Sequence, residues 1–170
     1  MDLSKFSNDT FDAVICLGGP LSHILGEGDR GKAISELVRV AKRRSPIFIS
    51  VMSRLAVLAL ELRYFQDQIQ LPLFRRMRDA GDYLGERDFT ACHFFLPEEL
   101  RESVEKSGNV EVLAMVGLEG IGSGHKEEVN KLAKNARRWK VWLDTHYKTC
   151  THPSAVGMSE HMLLVCRKEG

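Results

Sequence analysis

The sequence predicts one α/β domain spanning residues 1–170, built around a parallel strand–helix–strand unit. Two apolar, β-rich runs, Phe11–Leu17 and Pro46–Val51, flank a segment whose apolar residues recur at helical spacing. Strand, helix and strand within about forty residues require a parallel, right-handed crossover. Size is the third observation. A chain of 170 residues can bury about 70% of its extended surface without disulfides or metals.

The elements follow in order. Phe11–Leu17 is a continuous apolar run closed by Gly18-Gly19-Pro20, the pattern of a strand buried on both faces. From Asp29 to Arg43 the residues Ala33, Ile34, Leu37, Val38 and Ala41 line one helical face, with Lys32, Glu36, Arg39, Lys42 and Arg43 opposite. Pro46–Val51 reads as a second buried strand. Residues 54–82 form a helical insert: Leu55, Leu58, Leu62 and Phe65 have helical spacing, Pro72 interrupts, and Leu73–Ala80 makes a second short helix. Pro97 in the run Phe94-Phe95-Leu96-Pro97-Glu98-Glu99-Leu100 is placed to open a further helix, which ends near Gly108. Val110–Leu118 is a third strand, His125 to about Tyr147 a long basic helix, and Met162–Cys166 the last strand.

Composition narrows the function classes. The 24 basic and 23 acidic residues leave a net charge of +1, so no global field draws the chain to nucleic acid or an anionic membrane. The longest apolar stretch, Leu55–Leu60, is far short of the ~20 residues a bilayer requires, and the segment from Met1 to Phe6 lacks the apolar core of a signal peptide. A cytoplasmic location is expected. Cys16, Cys92, Cys150 and Cys166 show no C-x-x-C spacing, and Cys150 with His152 does not make a zinc site, so reduced, structural thiols and no metal are expected. Basic residues cluster at Arg39, Lys42, Arg43 and Arg44, and again at Lys131, Lys134, Arg137, Arg138 and Lys140 beside Trp139 and Trp142. A nucleic-acid surface is one reading of the second cluster. Glu127, Glu128 and the neutral whole favour a solvated face with the tryptophans inside.

The ordered set of elements resembles the C-terminal half of the class I S-adenosylmethionine-dependent methyltransferases. FDAVICLGGPLSHI (11–24) is similar to the family's fourth strand and the loop after it, ELVRVAK (36–42) to the helix before the fifth strand, and FFLPEEL (94–100) with GNVEVLAMVGLEG (108–120) to the helix and strand that begin the closing hairpin. The resemblance implies a partial doubly wound, Rossmann-like sheet of about four strands with flanking helices. Two departures stand out. The usual Lys-Pro-Gly-Gly turn is Lys42-Arg43-Arg44-Ser45-Pro46 here, and the Gly-rich loop, the ribose-binding acid and the adenine-side aspartate of the family's first three strands have no counterpart. The run Gly117–Gly124 offers a weak phosphate-loop pattern, which the family order turns into the bend after the sixth strand.

The resemblance implies methyl transfer to an unidentified acceptor, with the chain a truncated form that binds S-adenosylmethionine poorly alone. Leu17, Gly18 and Gly19, at the carboxyl end of the first strand, would approach the cofactor. Ser22 and His23 on the same loop, Arg54 at the end of the second strand and Tyr64 in the insert would face the acceptor; Ser50, Met52, Phe65, Phe74, Tyr83 and His93 are lesser candidates. Helix capping by Ser53 and core packing of the insert's aromatics are the structural alternatives. With the first three strands absent, Phe11–Leu17 becomes an exposed apolar edge. A homodimer through that edge, or a separate N-terminal half, is expected. Residues 54–95 then serve as a lid or a dimer arm. A non-catalytic interaction module using the same edge is the alternative function.

Overall fold

The computed structural model describes residues 2–87 and 89–169. A four-stranded mixed sheet runs in the order β1 (Val14–Cys16), β2 (Pro46–Met52), β6 (His161–Lys168), β5 (Val110–Gly117). β1 and β2 are parallel, with Val14 opposite Ile47 and Cys16 opposite Ile49. β6 runs antiparallel to both β2 and β5, and the β5 register slips between Val112 and Ala114 at a bulge around Leu113.

Helix α1 (Glu27–Val40) makes the parallel crossover, and α4 (Pro97–Lys106) lies beside it. Ile34, Leu37 and Val38 from α1 and Leu100 and Val104 from α4 close the main core against Val14, Cys16, Ile47, Ile49, Val51, Met162, Leu164 and Cys166. Those strand residues alternate, as a pleated sheet with one covered face demands. The other face is different. Ile15 is 65% exposed and Leu17 51%, while Phe48, Leu163 and Val165 are only half-buried. The expectation of a first strand buried on both faces is therefore corrected: β1 is an edge strand with one face bare. The molecule exposes 9933 Å², against about 8,400 Å² expected for a compact protein of this mass.

The segment after β2 folds as α2 (Arg54–Tyr64), α3 (Pro72–Ala80) and a two-stranded antiparallel ribbon of β3 (Asp82–Tyr83) and β4 (Cys92–His93). Leu73, Met77, Tyr83, Cys92 and Phe94 give it a small core of its own, against which Met52 of β2 packs. The ribbon is absent from the sequence reading, because two-residue strands carry no periodic signal. Also unanticipated is the short helix α7 (Pro153–Met158).

The long basic helix is corrected to two, α5 (Lys126–Ala133) and α6 (Ala136–Thr149). Asn135 breaks it by accepting the Arg138 amide on its side chain at 3.0 Å, a strong N-cap in mid-pattern. Neither helix contains a fully buried residue; Trp139 and Trp142 are half-buried. At the turn into β2, Arg44 takes the left-handed conformation (φ 61°) that glycine would favour, and its amide is held by Lys168 O at 2.9 Å. The left-handed turn thus survives without the glycines. All four cysteines are free and buried.

Candidate functional site

The carboxyl ends of β1 and β2 meet at the glycine loop. Gly18 and Gly19 both have positive φ, 81° and 76°, which turns the chain sharply out of β1 into the 3-10 turn Pro20–His23. The Gly18 amide donates to Ser50 Oγ at 2.9 Å, and the Met52 amide donates to Ser22 Oγ at 3.0 Å. These two bonds fix the loop to β2. A side chain at Gly18 would meet no atom within 4 Å, whereas one at Gly19 would lie 3.7 Å from Met52 Cγ. The loop therefore presents open backbone on one side and touches Met52 on the other.

Beyond Met52 lies a cavity of about 510 Å³. Ala56, Val57 and Leu60 of α2 form one wall, and Phe65, Phe89 and Phe94 supply aromatic surface. Its polar groups are Glu61, Asp67, Arg87, Glu160 and His161, with Gln68 and Tyr83. Asp67 faces Arg87 at 3.8 Å, and Glu160 Oε1 accepts the Gly124 amide at 3.1 Å. His161 Nδ1 lies 2.9 Å from Glu119 Oε1, and Glu119 Oε2 accepts from the His161 amide and Ser159 Oγ, each at 2.8 Å. Burial would raise the Glu119 carboxyl, but the His161 ring and amide bonds, the Ser159 bond and the His161 charge outweigh it and bring it to about 2. The same hydrogen bond, with the charges of Glu119 and Glu160, raises His161 against the opposing effect of its burial.

A separate polar cluster anchors the insert. The His93 ring nitrogens lie 2.7 Å from Asp82 Oδ1 and 2.5 Å from Glu99 Oε1. Arg54 donates to Glu99 Oε2 at 2.7 Å, to Phe94 O at 3.1 Å and to Ala80 O at 3.2 Å. Arg30 stands 3.8 Å from Glu99 and caps Ile24 O at 3.1 Å. Gly81, φ 81°, is required here: a Cβ would overlap Phe94 O and the Arg54 guanidinium.

Among the expected residues, Leu17, Gly18 and Gly19 stand together at the end of β1. Ser22 is fully buried and serves as a backbone acceptor. His23 is exposed at the rim, its Nδ1 3.3 Å from Ala91 O and its ring 6.1 Å from Phe89. Arg54 is 7% exposed and belongs to the Glu99 cluster, away from the cavity wall. Tyr64 is 58% exposed and is not part of the cavity wall, which its neighbour Phe65 lines. Ser53 sits at the start of α2, yet its hydroxyl donates to Gly157 O at 2.9 Å instead of capping the helix. The residue that sequence reasoning missed is Glu61. Its signal was faint: it falls four residues after Val57, beside the Leu55, Leu58 and Leu62 stripe that the sequence marks on this segment.

Among the described residues, no group of three or more His, Cys, Asp and Glu is arranged to hold a metal ion, and no helix is long and apolar enough to cross a membrane. No family model matches the chain, and no curated protein matches it. Among solved structures it is similar to a SAM-dependent methyltransferase from Methanosarcina mazei, at 15% identity and a TM-score of 0.57, covering 99% of this chain and 63% of that one. It is also similar to an S-adenosylmethionine-dependent methyltransferase from Clostridium acetobutylicum ATCC 824, at 10% identity and a TM-score of 0.53, covering 100% of this chain and 63% of that one. The likeness at these identities is one of fold. The chain has the α/β architecture of Rossmann-like methyltransferases, with a mixed four-stranded sheet and flanking helices, and spans about 63% of the length of these two structures.

Proposed function

We propose that this chain is the acceptor-side portion of an S-adenosylmethionine-dependent methyltransferase. The observation that carries the reading is spatial: at the carboxyl ends of the parallel strands, Met52 both neighbours the glycine loop, where Gly18 leaves open space, and lines the apolar cavity. Ligands of open α/β sheets bind at such strand ends. S-adenosylmethionine, when bound, supplies an electrophilic methyl group on a sulfonium centre. Leu17, Gly18 and Gly19 fit one wall of its site, since the missing side chain at Gly18 leaves room for close approach. In keeping with the departures in the sequence, we assign the Gly-rich cradle and the ribose-binding acid of that site to residues outside this segment. We place the rest of the cofactor site along the free edge of β1, contributed by a further segment of a longer chain, by a second copy joined along Phe11–Leu17 or by a separate polypeptide. The chain's own work is to orient the acceptor and exclude water from it, which the apolar walls do. Met52 would separate acceptor from cofactor, and His23 would stand at the entrance.

A second reading has its own support. A bare apolar sheet face with a free edge, on a molecule exposing 9933 Å², suits a module that recruits a partner strand without catalysis. Calorimetric titration with S-adenosylhomocysteine, with the mass in solution measured alongside, separates the two. Micromolar binding confined to an assembled species is expected. The same affinity in the monomer overturns the shared cofactor site, and an assembled species that does not bind favours the interaction module.

A further inference from the structure

The cavity beside Met52 contains one polar group whose environment is incomplete. Glu61 is 8% exposed and lines the cavity, and among the described residues no donor reaches its carboxylate; Oε2 is sealed without a partner. The neighbouring acids differ. Asp67 has Arg87, and Glu160 has the Gly124 amide. A buried acceptor left without a donor costs folding free energy that an apolar residue at the same place would not. The sequence keeps an acid among the apolar residues Ala56, Val57 and Leu60 with which α2 lines a void large enough for a small organic molecule.

The surroundings define what fills that void. Glu61, Asp67 and Glu160 outnumber the Arg87 guanidinium on the wall, and His161 is already committed to Glu119. The field inside is therefore negative, and it repels carboxylates and phosphates. Burial first, and the nearby Asp67 charge second, push the Glu61 carboxyl upward against the pull of Arg87; a cation in the cavity would reverse that push. Phe65, Phe89 and Phe94 line it with aromatic, apolar bulk, the residue type whose rings attract a cation. Apolar walls with a single unmet carboxylate describe the complement of an amine carried on an apolar body.

We propose that this cavity binds a small aromatic or aliphatic amine, with the Glu61 carboxylate as the partner of its nitrogen. That the amine is also the methyl acceptor rests on the function proposed above; the binding itself does not.

The test uses the whole chain and three probes of one shape: 2-phenylethylamine, 2-phenylethanol and 3-phenylpropionate, each titrated calorimetrically, with the Glu61→Gln variant in parallel. The amine should bind about tenfold or more tighter than the alcohol, one charge-assisted hydrogen bond's worth, and the carboxylate weakest. E61Q should remove that preference while circular dichroism stays unchanged. An order led by 3-phenylpropionate, an E61Q variant with undiminished preference for the amine, or no binding by any probe overturns the proposal. Titration of the same sample with S-adenosylhomocysteine keeps the two readings apart: amine binding by an assembled species that does not bind the cofactor sinks only a cofactor site shared between two copies, and cofactor binding without amine binding sinks only this proposal.

Discussion

Glu99, in the polar cluster that anchors the insert, and Glu61, on the wall of the cavity, are treated in opposite ways. Glu99, at the start of α4, receives His93, Arg54 and, at 3.4 Å, the Leu96 amide, with Arg30 close by. Burial would raise its carboxyl, but the His93 bond and charge, the Leu96 amide and the Arg54 charge hold it below the ordinary carboxylate range. Glu61, on α2, receives nothing among the described residues, and its carboxyl is raised. A saturated acid is a rivet: its partners fix the insert onto α1 and α4. An unsaturated one is a vacancy in the hydrogen-bond pattern, which costs stability in the empty protein and is repaired by a ligand.

Removing the rivet should have the largest effect. Glu99→Ala leaves Arg54 and Arg30, 7% and 6% exposed, without a carboxylate and is expected to cost about 3–5 kcal/mol in urea unfolding. A loss below about 1 kcal/mol would mean that the cluster behaves like a surface pair and that the contrast with Glu61 is empty.

Glu119 is the intermediate case, well bonded but partly open to solvent. Glu119→Gln is expected to cost about 1–2 kcal/mol near pH 5.5. The sign follows from both partners. Glu119, lowered from 4.5 to about 2, contributes stability above pH 4.5 that is lost as pH falls toward 2. His161, raised above 6.5, contributes fully below 6.5, and that share is lost as pH rises through its raised value. The wild-type advantage over E119Q should thus peak between pH 4.5 and 6.5; an advantage independent of pH would sever the Glu119–His161 link.

The smallest effect belongs to Glu61. Because its folded value lies above 4.5, the wild type loses stability as pH rises past that point, whereas Glu61→Gln does not. Melting curves of the two should coincide near pH 4 and separate in favour of the variant toward pH 8. Parallel curves would mean that the acid already has a partner.

The backbone of the fold was readable because its signals are local and periodic. The crossover rests on Ala33, Ile34, Leu37 and Val38 at helical spacing between two apolar runs, and Pro97 marks the start of α4. The misreadings arise where one side chain or one missing neighbour overrides the period. Asn135 cuts a continuous helical pattern, and Ile15 looks buried in sequence yet faces outward, with none of the described residues covering it. The glycine loop was legible for the same reason as any turn. The roles of Ser22 and Arg54 were not, since Ser22 is consumed by the Met52 amide, 30 residues away, and Arg54 by Glu99, 45 residues away. Glu61 was visible only as an acid among apolar neighbours, and its isolation depends on the Arg87 guanidinium facing Asp67 instead.

The thiols of Cys16 and Cys166 lie in the same sheet at different depths. Both are buried, and burial pushes the Cys166 thiol up to about 11 and raises Cys16 as well, so neither reacts in the closed protein. Cys16 belongs to a three-residue edge strand paired on one side only, while Cys166 sits between β2 and β5. Lifting β1 frees the first sulfur; the second is freed only when ladders on both sides part. The sheet therefore carries two natural clocks, one timing the fraying of its margin and the other the opening of its centre. Anything that settles along β1 slows the first clock and leaves the second running at its own pace.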